Sequence, residues 1–395
     1  MAGFRRAGVA PRAPAGAAGG GRGPRVRSYG RTAPFRTGSV PVGRQGRGHG
    51  EKETDLMSSM RVAEVTTPGG EFRIVERELP EPGPGQVRIA VEACGICHTD
   101  SYLVDNHFPG LDFPLVTGHE VAGRIDALGE GVQGWRQGER VGVGWFGGHC
   151  GHCLSCRDGD FITCDSLQVP GWSYPGGFAE AMVAPANALV RIPDGLSAIE
   201  AAPLGCAGVT VYNSLRRSAA RAGDLVAVVG LGGLGHLGVQ YAAASGFDTV
   251  AVARGADKEE LALRLGARHY IDSTTTDVAE ALRDLGGATV VLATAANSDA
   301  MSRTVDGLAP RGQLLVIGVS SDPLTITPLQ LINAARSVHG HPSGTARDVE
   351  RAMAFAALSG VRPMVETAPL EEAGAAYERM RSGAARFRMV LTIGG

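Results

Sequence analysis

Four cysteines crowd into fifteen residues of this 395-residue chain and constrain its fold more than any other feature. Their spacing is C-x2-C-x2-C-x7-C, formed by Cys150, Cys153, Cys156 and Cys164. Four thiolates can converge on one tetrahedral ion, and zinc is the metal that best suits such a set. A closed shell of four sulfurs leaves no position for a substrate. The spacing therefore predicts a structural zinc site rather than a catalytic one.

Three further candidate ligands lie apart in the chain: Cys97, His119 and Cys206. Two thiolates and an imidazole would leave the fourth tetrahedral position of zinc for water or a substrate oxygen, as in catalytic zinc sites. Asp100 is a candidate to accept the second ring N–H of His119, which would fix its tautomer, and Glu120 would lie beside the metal. Each residue alone is weak evidence, because a lone buried cysteine is usually a small core residue. Their occurrence together with a nucleotide motif favours the metal site.

A buried apolar strand, a glycine-rich turn and the start of a helix follow one another over residues 226–242. The turn has the form G-x-G-x-x-G, in which the first glycines permit close approach of a pyrophosphate and the third lets the helix pack on the strand. The N-terminus of the helix then faces the anion. The motif alone would be weak in a chain with 58 glycines, but the strand and helix around it predict a dinucleotide site. The expected contacts are Gly230, Gly232, Gly233, Leu234 and Gly235.

The next strand, over residues 249–253, bears on the choice of dinucleotide. An NAD site usually has an acidic residue about twenty residues beyond the glycines, but this chain has Ala253 followed by Arg254. A guanidinium can bind a 2′-phosphate where no carboxylate holds the ribose hydroxyls. The sequence therefore favours NADP(H) over NAD(H), and an exposed loop arginine is the alternative interpretation of Arg254.

Strand and helix patterns alternate after the glycine motif, which predicts a doubly wound parallel sheet. The predicted segments are a helix over 258–265, a strand over 289–292, a helix over 300–308 and a strand over 314–319. Val319, the last residue of that strand, is included among the expected cofactor contacts. Residues 60–207 show short strands and turns, and the chain ends with a helix over 346–358 and a strand over 388–393.

These features together resemble the zinc-containing medium-chain alcohol dehydrogenase family over about residues 60–395. The stretch that begins with Gly118-His-Glu120 has the form of the family's zinc signature. The order of motifs is also the family's: a catalytic ligand, Gly-His-Glu, the four-cysteine cluster, a third ligand and the glycine-rich turn. Residues 253–254 and 338–345 are most similar to the bacterial branch related to cinnamyl alcohol dehydrogenases.

The resemblance implies an α/β protein with a GroES-like, β-rich catalytic domain and a Rossmann cofactor domain with a doubly wound parallel sheet. It implies hydride transfer between a primary alcohol or aldehyde and NAD(P), with two zinc ions per chain. The expected divisions are a disordered Arg/Gly-rich leader over 1–57, the catalytic domain over 58–207, the cofactor domain over 208–344 and a return to the catalytic domain over 345–395.

The resemblance also implies roles for single residues. The three candidate ligands of the open site would bind catalytic zinc, and Thr99 would receive the proton of the substrate. His98 and Arg388 would approach the pyrophosphate of the cofactor, with a strand-edge arginine as the alternative for Arg388. Tyr102 stands where many members carry the histidine that ends the proton relay, which leaves the end of that path open.

Residues 1–50 differ sharply from the rest, with ten arginines, thirteen glycines, no lysine and no acidic residue. Such a segment cannot bury a core, so we expect it to be disordered. Because it carries +10 and the whole chain −2, the remainder carries about −12. A transit peptide and an RNA-binding tail are alternatives, but we favour translation from an upstream start codon, with Met57 or Met60 opening the native protein.

Other functions share part of this pattern. A polyol or formaldehyde dehydrogenase would use the same zinc and hydride chemistry. A nucleic-acid-binding zinc protein would combine the four cysteines with the basic leader, but the acidic remainder argues against it. Trp145, Phe146 and Tyr102 are candidates to line the substrate pocket. No run of eighteen apolar residues occurs, so we expect no transmembrane helix, and we expect a cytoplasmic homodimer or homotetramer that acts on a small molecule and binds no nucleic acid.

Overall fold

The structure is a computed structural model and describes residues 59–394. The expectations for the leader, including its disorder and its alternative roles, lie outside the described residues. Within residues 59–394 the strands form a two-stranded, a seven-stranded and a six-stranded sheet.

The described part of the chain contains fifteen strands and eleven α-helices. The strands are β1 (Ser59–Val65), β2 (Phe72–Glu78), β3 (Gln86–Ile96), β4 (Val121–Leu128), β5 (Arg140–Val143), β6 (Ala181–Pro185), β7 (Val190–Arg191), β8 (Leu225–Val229), β9 (Asp248–Ala253), β10 (His269–Asp272), β11 (Ala288–Ala293), β12 (Leu308–Val316), β13 (Ser337–Gly340), β14 (Val365–Pro369) and β15 (Arg388–Thr392). The helices are α1 (His98–Val104), α2 (Leu154–Arg157), α3 (Ala198–Pro203), α4 (Val209–Arg216), α5 (Gly235–Ala244), α6 (Glu259–Arg264), α7 (Val278–Asp284), α8 (Ser298–Ser302), α9 (Pro328–Ile332), α10 (Ala346–Ser359) and α11 (Ala373–Arg381). Among these helices, none is both long enough and apolar enough to cross a membrane.

The six-stranded sheet is parallel throughout and has the order β10-β9-β8-β11-β12-β13. Every residue of its central strand β8 is buried. Val226 and Val228 belong to one hydrophobic cluster, whereas Leu225, Ala227 and Val229 belong to another. Alternate side chains of one strand thus enter two cores, because both faces of the sheet are covered. The predicted doubly wound parallel sheet is confirmed.

The seven-stranded sheet is built around the long strand β3, which pairs antiparallel with β4, β6 and β15. Strand β15 comes from the end of the chain: Met389 pairs with Ile96, and Thr392 pairs with Ala93. The last strand therefore pairs within the β-rich sheet and not within the parallel sheet. This pairing also brings Arg388, the first residue of β15, close to the end of β3.

The helix predicted over residues 300–308 is wrong in extent. Helix α8 covers only Ser298–Ser302, a 3-10 turn follows, and strand β12 already begins at Leu308. The apolar side chains at Val305 and Leu308 are fully buried because this segment enters the sheet core, where Leu308 pairs with Ala288. The strand predicted over 314–319 likewise ends at Val316, which is paired with Ala293, the last residue of β11.

The other predicted elements agree with the structure to within two residues at each end. The predicted helix over 346–358 is α10, which runs to Ser359. Its start is capped by Thr345, which accepts a hydrogen bond from the amide of Asp348, and it ends at Gly360 in the left-handed region with φ 78°. Glycine is favoured there because it has no Cβ. The helix predicted over 258–265 is a 3-10 turn followed by α6.

Candidate active site

The three candidate ligands of the open site converge in space. Cys97 Sγ lies 3.9 Å from Cys206 Sγ, and one side-chain atom of each of Cys97, His119, Glu120 and Cys206 lies within 4.8 Å of the others. Two sulfurs bound to one tetrahedral zinc at about 2.3 Å would be about 3.8 Å apart. We call Cys97, His119 and Cys206 the open cluster. Their donor atoms and spacing fit a zinc ion.

Each ligand is delivered by a different element. Cys97 directly follows β3 and is the N-cap of α1, and His119 precedes β4. Cys206 lies in the π-helix Leu204–Gly208 that joins α3 to α4. A π-turn adds a residue to the helical repeat and so redirects a side chain, and such turns occur often at functional sites. The position of Cys206 therefore depends on a local departure from regular helix.

Asp100 holds the ring of His119. Its Oδ1 lies 3.1 Å from His119 Nδ1 and accepts a hydrogen bond from Thr117 Oγ1 at 2.6 Å, while its Oδ2 accepts the amide of Cys97 at 2.8 Å. With Nδ1 bound to the carboxylate, the second ring nitrogen, Nε2, is buried without a partner. Because an orphaned buried nitrogen is costly, this atom supports a metal ligand at that position.

The two thiols of the open cluster do not share the same affinity for a proton. A hydrogen bond from Cys206 lowers the pKa of Cys97 well below its usual value, and the same pairing raises the pKa of Cys206. Burial lowers the pKa of His119, but Asp100 and Cys97 together outweigh burial, so the net shift is upward. Two thiolates side by side would need a cation, and a metal held by Cys97 and Cys206 would take the place of the thiol protons.

Glu120 and Arg388 connect the open cluster to the glycine-rich turn. Glu120 is fully buried, and its Oε1 accepts a hydrogen bond from Arg388 Nη2. Burial raises the pKa of Glu120 to about 7, although Arg388 acts in the opposite direction. A Cβ on Gly233 would lie 2.9 Å from Arg388 Nη1, so the guanidinium also touches the turn. The arginine therefore lies between the metal ligands and the dinucleotide motif.

The glycine-rich turn borders a cavity of about 670 Å³ at the carboxyl edge of the parallel sheet. Gly230 has a φ of 97°, and a Cβ on Gly235 would lie 1.8 Å from Gly230 O. Both positions therefore require glycine, the first for its conformation and the second for helix–strand contact. The predicted contacts that line the cavity are Gly230, Gly232, Gly233, Leu234, Gly235 and Arg254.

Two predicted cofactor contacts lie elsewhere. His98 is exposed at the start of α1 and stands edge to face with Tyr102. Val319 is 56% exposed beyond the end of β12. Neither borders the 670 Å³ cavity, and Arg388, although it contacts the glycine-rich turn, does not line it either. The cofactor roles of all three residues stay predictions.

Sequence reasoning missed several residues that line this cavity. Some follow the carboxyl ends of β10 and β11, which is where ligands bind in doubly wound sheets, so their position after each strand was a usable signal. Lys258, which precedes α6, does not follow a strand, so its sequence position did not indicate the cavity. These residues include Lys258, Ser273, Thr274, Thr294 and Asn297.

The four clustered cysteines form a second candidate metal centre, which we call the closed cluster. Their Sγ atoms are 3.6 to 4.0 Å apart along the contacts Cys150–Cys164, Cys153–Cys164 and Cys150–Cys156, and none is in a disulfide. Backbone amides donate to these sulfurs, including that of Cys153 to Cys150 Sγ at 3.4 Å. The spacing fits a tetrahedral ion with four thiolates.

An aromatic surface lies beside the open cluster. The ring of Trp145 stands edge to face with His119, with centroids 5.3 Å apart. Phe108 packs near Trp145 and is stacked on Trp172 at 4.6 Å, and Tyr102 contacts Phe108. Phe146, by contrast, is buried against His149 near the closed cluster. Two of the three predicted pocket residues therefore share this surface, and Phe108 and Trp172 were not foreseen.

Comparison with known proteins identifies the family. Residues 83–194 match the alcohol dehydrogenase GroES-like domain, and residues 233–358 match the zinc-binding dehydrogenase domain. An alcohol dehydrogenase, notN, from Aspergillus sp. (strain MF297-2) is 44% identical over 82% of this chain and 95% of its own length. The NADP-dependent alcohol dehydrogenase C of Mycobacterium bovis is 36% identical over 79% of this chain and 92% of its own length.

Solved structures agree with these relatives. A cinnamyl alcohol dehydrogenase from Sorghum bicolor is similar with a TM-score of 0.79 and 30% identity, covering 86% of this chain and 98% of its own. Further similar structures are described as NAD-dependent or as complexes with NAD or NADH. The chain belongs to the zinc-containing medium-chain alcohol dehydrogenase family and is an oxidoreductase that uses zinc and a nicotinamide cofactor on small-molecule alcohols.

Proposed function

We propose that this alcohol dehydrogenase prefers NADP(H) and interconverts aromatic or medium-length aliphatic aldehydes and their primary alcohols. The observation that carries the cofactor preference is Arg254, which borders the dinucleotide cavity directly after Ala253. The aromatic surface beside His119 supports the substrate class.

Two zinc ions per chain are part of the proposal. The closed cluster would hold one ion with four thiolates, which leaves no open position, and so would act in folding. The open cluster would hold the other through Cys97, His119 and Cys206. When bound there, zinc acidifies an alcohol hydroxyl or polarises an aldehyde carbonyl, and the nicotinamide accepts or supplies the hydride.

The residues around the open cluster prepare the site for that chemistry. Asp100 keeps Nε2 of His119 free to bind the metal by engaging Nδ1. Thr99 Oγ1 lies 3.6 Å from Cys97 Sγ, beside the metal ligands, where it would receive the substrate proton. Glu120 places a carboxylate in the same group and binds Arg388, which would approach the pyrophosphate. From Thr99 the proton would pass toward the cofactor ribose, and Tyr102 stands where many members of the family carry the histidine that ends the relay.

Three features support NADP(H). Arg254 is exposed at the cavity, and Lys258 lines the same wall and donates to Arg254 O at 2.7 Å. Two cationic side chains at this end of the cavity suit a 2′-phosphate. The carboxylate of Asp272 is engaged by the turn, because its Oδ1 accepts the amide of Gly255 and the hydroxyl of Thr274. That oxygen is therefore committed to the protein rather than to ribose hydroxyls.

The substrate preference follows from the aromatic surface formed by Tyr102, Phe108, Trp145 and Trp172. Aromatic rings bury apolar area and stack on other rings, so an aryl or alkyl group bound to this surface would be stabilised. A polyol carries hydroxyls that need partners, and this surface offers few. We therefore rank a polyol or formaldehyde dehydrogenase second, behind an enzyme for aryl or alkyl aldehydes. The Sorghum enzyme named for cinnamyl alcohol supports the aromatic choice.

The assembly and location are also proposals. We propose a homodimer or homotetramer, as in relatives of this family, and a cytoplasmic protein, because close free thiols survive best in a reducing compartment. The acidic charge outside residues 1–50 supports the absence of nucleic-acid binding.

The test compares NADPH with NADH in the full-length, zinc-loaded protein, using benzaldehyde, cinnamaldehyde, hexanal and acetaldehyde. We expect kcat/KM with NADPH to exceed that with NADH, and the aryl aldehydes to exceed acetaldehyde. Arg254→Ala should lower kcat/KM for NADPH by about tenfold or more and that for NADH far less, since a charge-assisted contact is lost only with NADPH.

The matched control is Arg264→Ala, because Arg264 is an exposed arginine of α6 that pairs with Glu260 and does not line the cavity. Equal losses with both cofactors in Arg254→Ala would contradict the NADP(H) preference. Turnover of polyols with NAD(P)+ but of no aldehyde would favour the second candidate.

A further inference from the structure

Helix α5, which begins at the glycine-rich turn, is tied to residues 361–364 by two polar side chains one helical turn apart. His236 is completely buried. Its Nδ1 lies 3.0 Å from Gly232 O, and its Nε2 lies 3.1 Å from the amide nitrogen of Met364. Gln240, four residues later on the same face, bonds both the amide and the carbonyl of Arg362. None of these side chains has a part in the chemistry described above.

The partners of His236 define its protonation. The Met364 amide can only donate, so Nε2 accepts, and the Gly232 carbonyl can only accept, so Nδ1 donates. This arrangement needs a neutral ring with its proton on Nδ1. Burial lowers the pKa of His236 to about 4, with the positive charge of Arg388 acting in the same direction. The ring is therefore neutral over the physiological pH range.

Met364 passes this constraint to Arg388. The Met364 carbonyl accepts the amides of both Phe387 and Arg388, each at 3.0 Å. The ring of His236 also stacks on Phe387, with centroids 5.0 Å apart and an interplanar angle of 23°. One histidine therefore binds the backbone before β14 and packs on the residue before Arg388.

Arg388 completes a circuit of contacts. It touches Gly233 of the glycine-rich turn, and Gly232, the neighbour of Gly233, is the residue whose carbonyl binds His236. Gly233 thus contacts the guanidinium directly. Gly232 is linked to Arg388 indirectly, through His236 and Met364. Such a closed circuit holds the guanidinium against the turn, so that both would face the same pyrophosphate.

We propose that His236 is a positioning residue for the dinucleotide: its ring is oriented by the bond to Gly232, and it fixes Arg388 against the glycine-rich turn by accepting the amide of Met364. The inference rests on the proposed role of Arg388 toward the pyrophosphate. His236 touches neither substrate nor reacting atoms, so its effect is on cofactor affinity.

Two substitutions separate the functions of the ring nitrogens. Glutamine carries its terminal amide about as far as Nε2 and can accept the Met364 amide. Asparagine stops at the position of Nδ1 and can bond only Gly232. In the full-length, zinc-loaded protein, we expect His236→Asn to raise the Kd and KM for NADPH about tenfold, the effect of one lost buried hydrogen bond. We expect kcat at saturation to change less than about twofold, and His236→Gln to restore most of the affinity.

Gln240→Ala is the matched control, because it removes the bonds of the same helix face to Arg362 without reaching Met364. It should lower Tm and leave the Kd for NADPH nearly unchanged. A purely structural role of His236 predicts instead that the Asn and Gln variants lose affinity equally, or that Kd follows Tm across all three variants. Either result would overturn the inference.

A double-mutant cycle with Arg388→Lys tests whether His236 acts through the arginine. We expect His236→Asn to cost little further affinity in the Arg388→Lys background, since contacts in one network are not additive. Full additivity would overturn the inference. Unchanged affinity in Arg388→Lys alone would overturn the proposed role of Arg388 and the inference with it, whereas weak binding in Arg388→Lys with normal binding in His236→Asn would overturn the inference only.

Discussion

The closed and open clusters have nearly the same sulfur spacing but opposite origins. The closed cluster gathers four cysteines from fifteen residues of one loop, and backbone amides of that loop donate to its sulfurs. The open cluster joins Cys97 to Cys206, which are 109 positions apart, and buries one unpaired nitrogen of His119. A site made by one loop can be read from its spacing, whereas an open site depends on how distant segments meet.

The two clusters should therefore respond differently to substitution. Changes at the open cluster should lower turnover, and changes at the closed cluster should lower stability. Four substitutions test this difference between the clusters, in order of decreasing effect on activity.

Removing a ligand of the open cluster should have the largest effect. Cys206→Ser should lower kcat/KM by about a thousandfold or more, because a metal contributes several kcal/mol to the transition state. Metal analysis should show one zinc per chain in place of two, with the closed cluster still loaded. Cys94→Ala is the control, since Cys94 is a buried cysteine outside both clusters. Full activity in Cys206→Ser would contradict the catalytic role of the open cluster.

The hydroxyl beside Cys97 should have the next effect. Thr99→Val keeps the shape of the side chain but removes the group that would take the substrate proton, so kcat should fall about a hundredfold. Thr99→Ser keeps the hydroxyl and should stay within about threefold of the parent. Steady-state kinetics with both variants checks this, and equal losses would indicate packing rather than proton transfer.

The carboxylate behind His119 should matter less than the ligands. Asp100→Asn removes the charge that holds Nδ1, and such partners typically contribute about tenfold to a hundredfold to metal affinity or activity. A zinc titration followed by activity measures the change. Asp105→Asn, at the end of the same helix and paired with Arg381, should leave zinc affinity as it is. If Asp100→Asn titrates like the parent, the carboxylate serves only to cap α1.

A ligand of the closed cluster should have the smallest effect on turnover and a clear effect on stability. Cys164→Ser should lower Tm by about 10 °C or more, because metal binding contributes directly to folding. At low temperature the folded protein should keep kcat/KM within about threefold. Leu154→Ala is the control, since Leu154 begins α2 between two of these cysteines and is 74% exposed. A large loss of turnover without loss of stability would reverse the assignment of the two clusters.

Local features of this protein could be predicted from its sequence because residues close together in the chain form them. The closed cluster, the glycine-rich turn and the all-buried strand β8 each arise within one short segment. The prediction failed where tertiary packing outweighed local preference. Residues 303–308 have a helical pattern, but the segment leaves α8 early because Leu308 is paired with Ala288 in the sheet.

The sequence by itself determined the kinds of ligand, the position of the glycine-rich turn and the family, because donor atoms and glycine conformations are properties of single residues. Tertiary structure alone decided which of them meet. The π-helix turns Cys206 toward Cys97, β15 carries Arg388 between Glu120 and Gly233, and His236 reaches Met364 across 128 positions. Contacts at such separations arise from the packing of whole sheets, which no local pattern encodes.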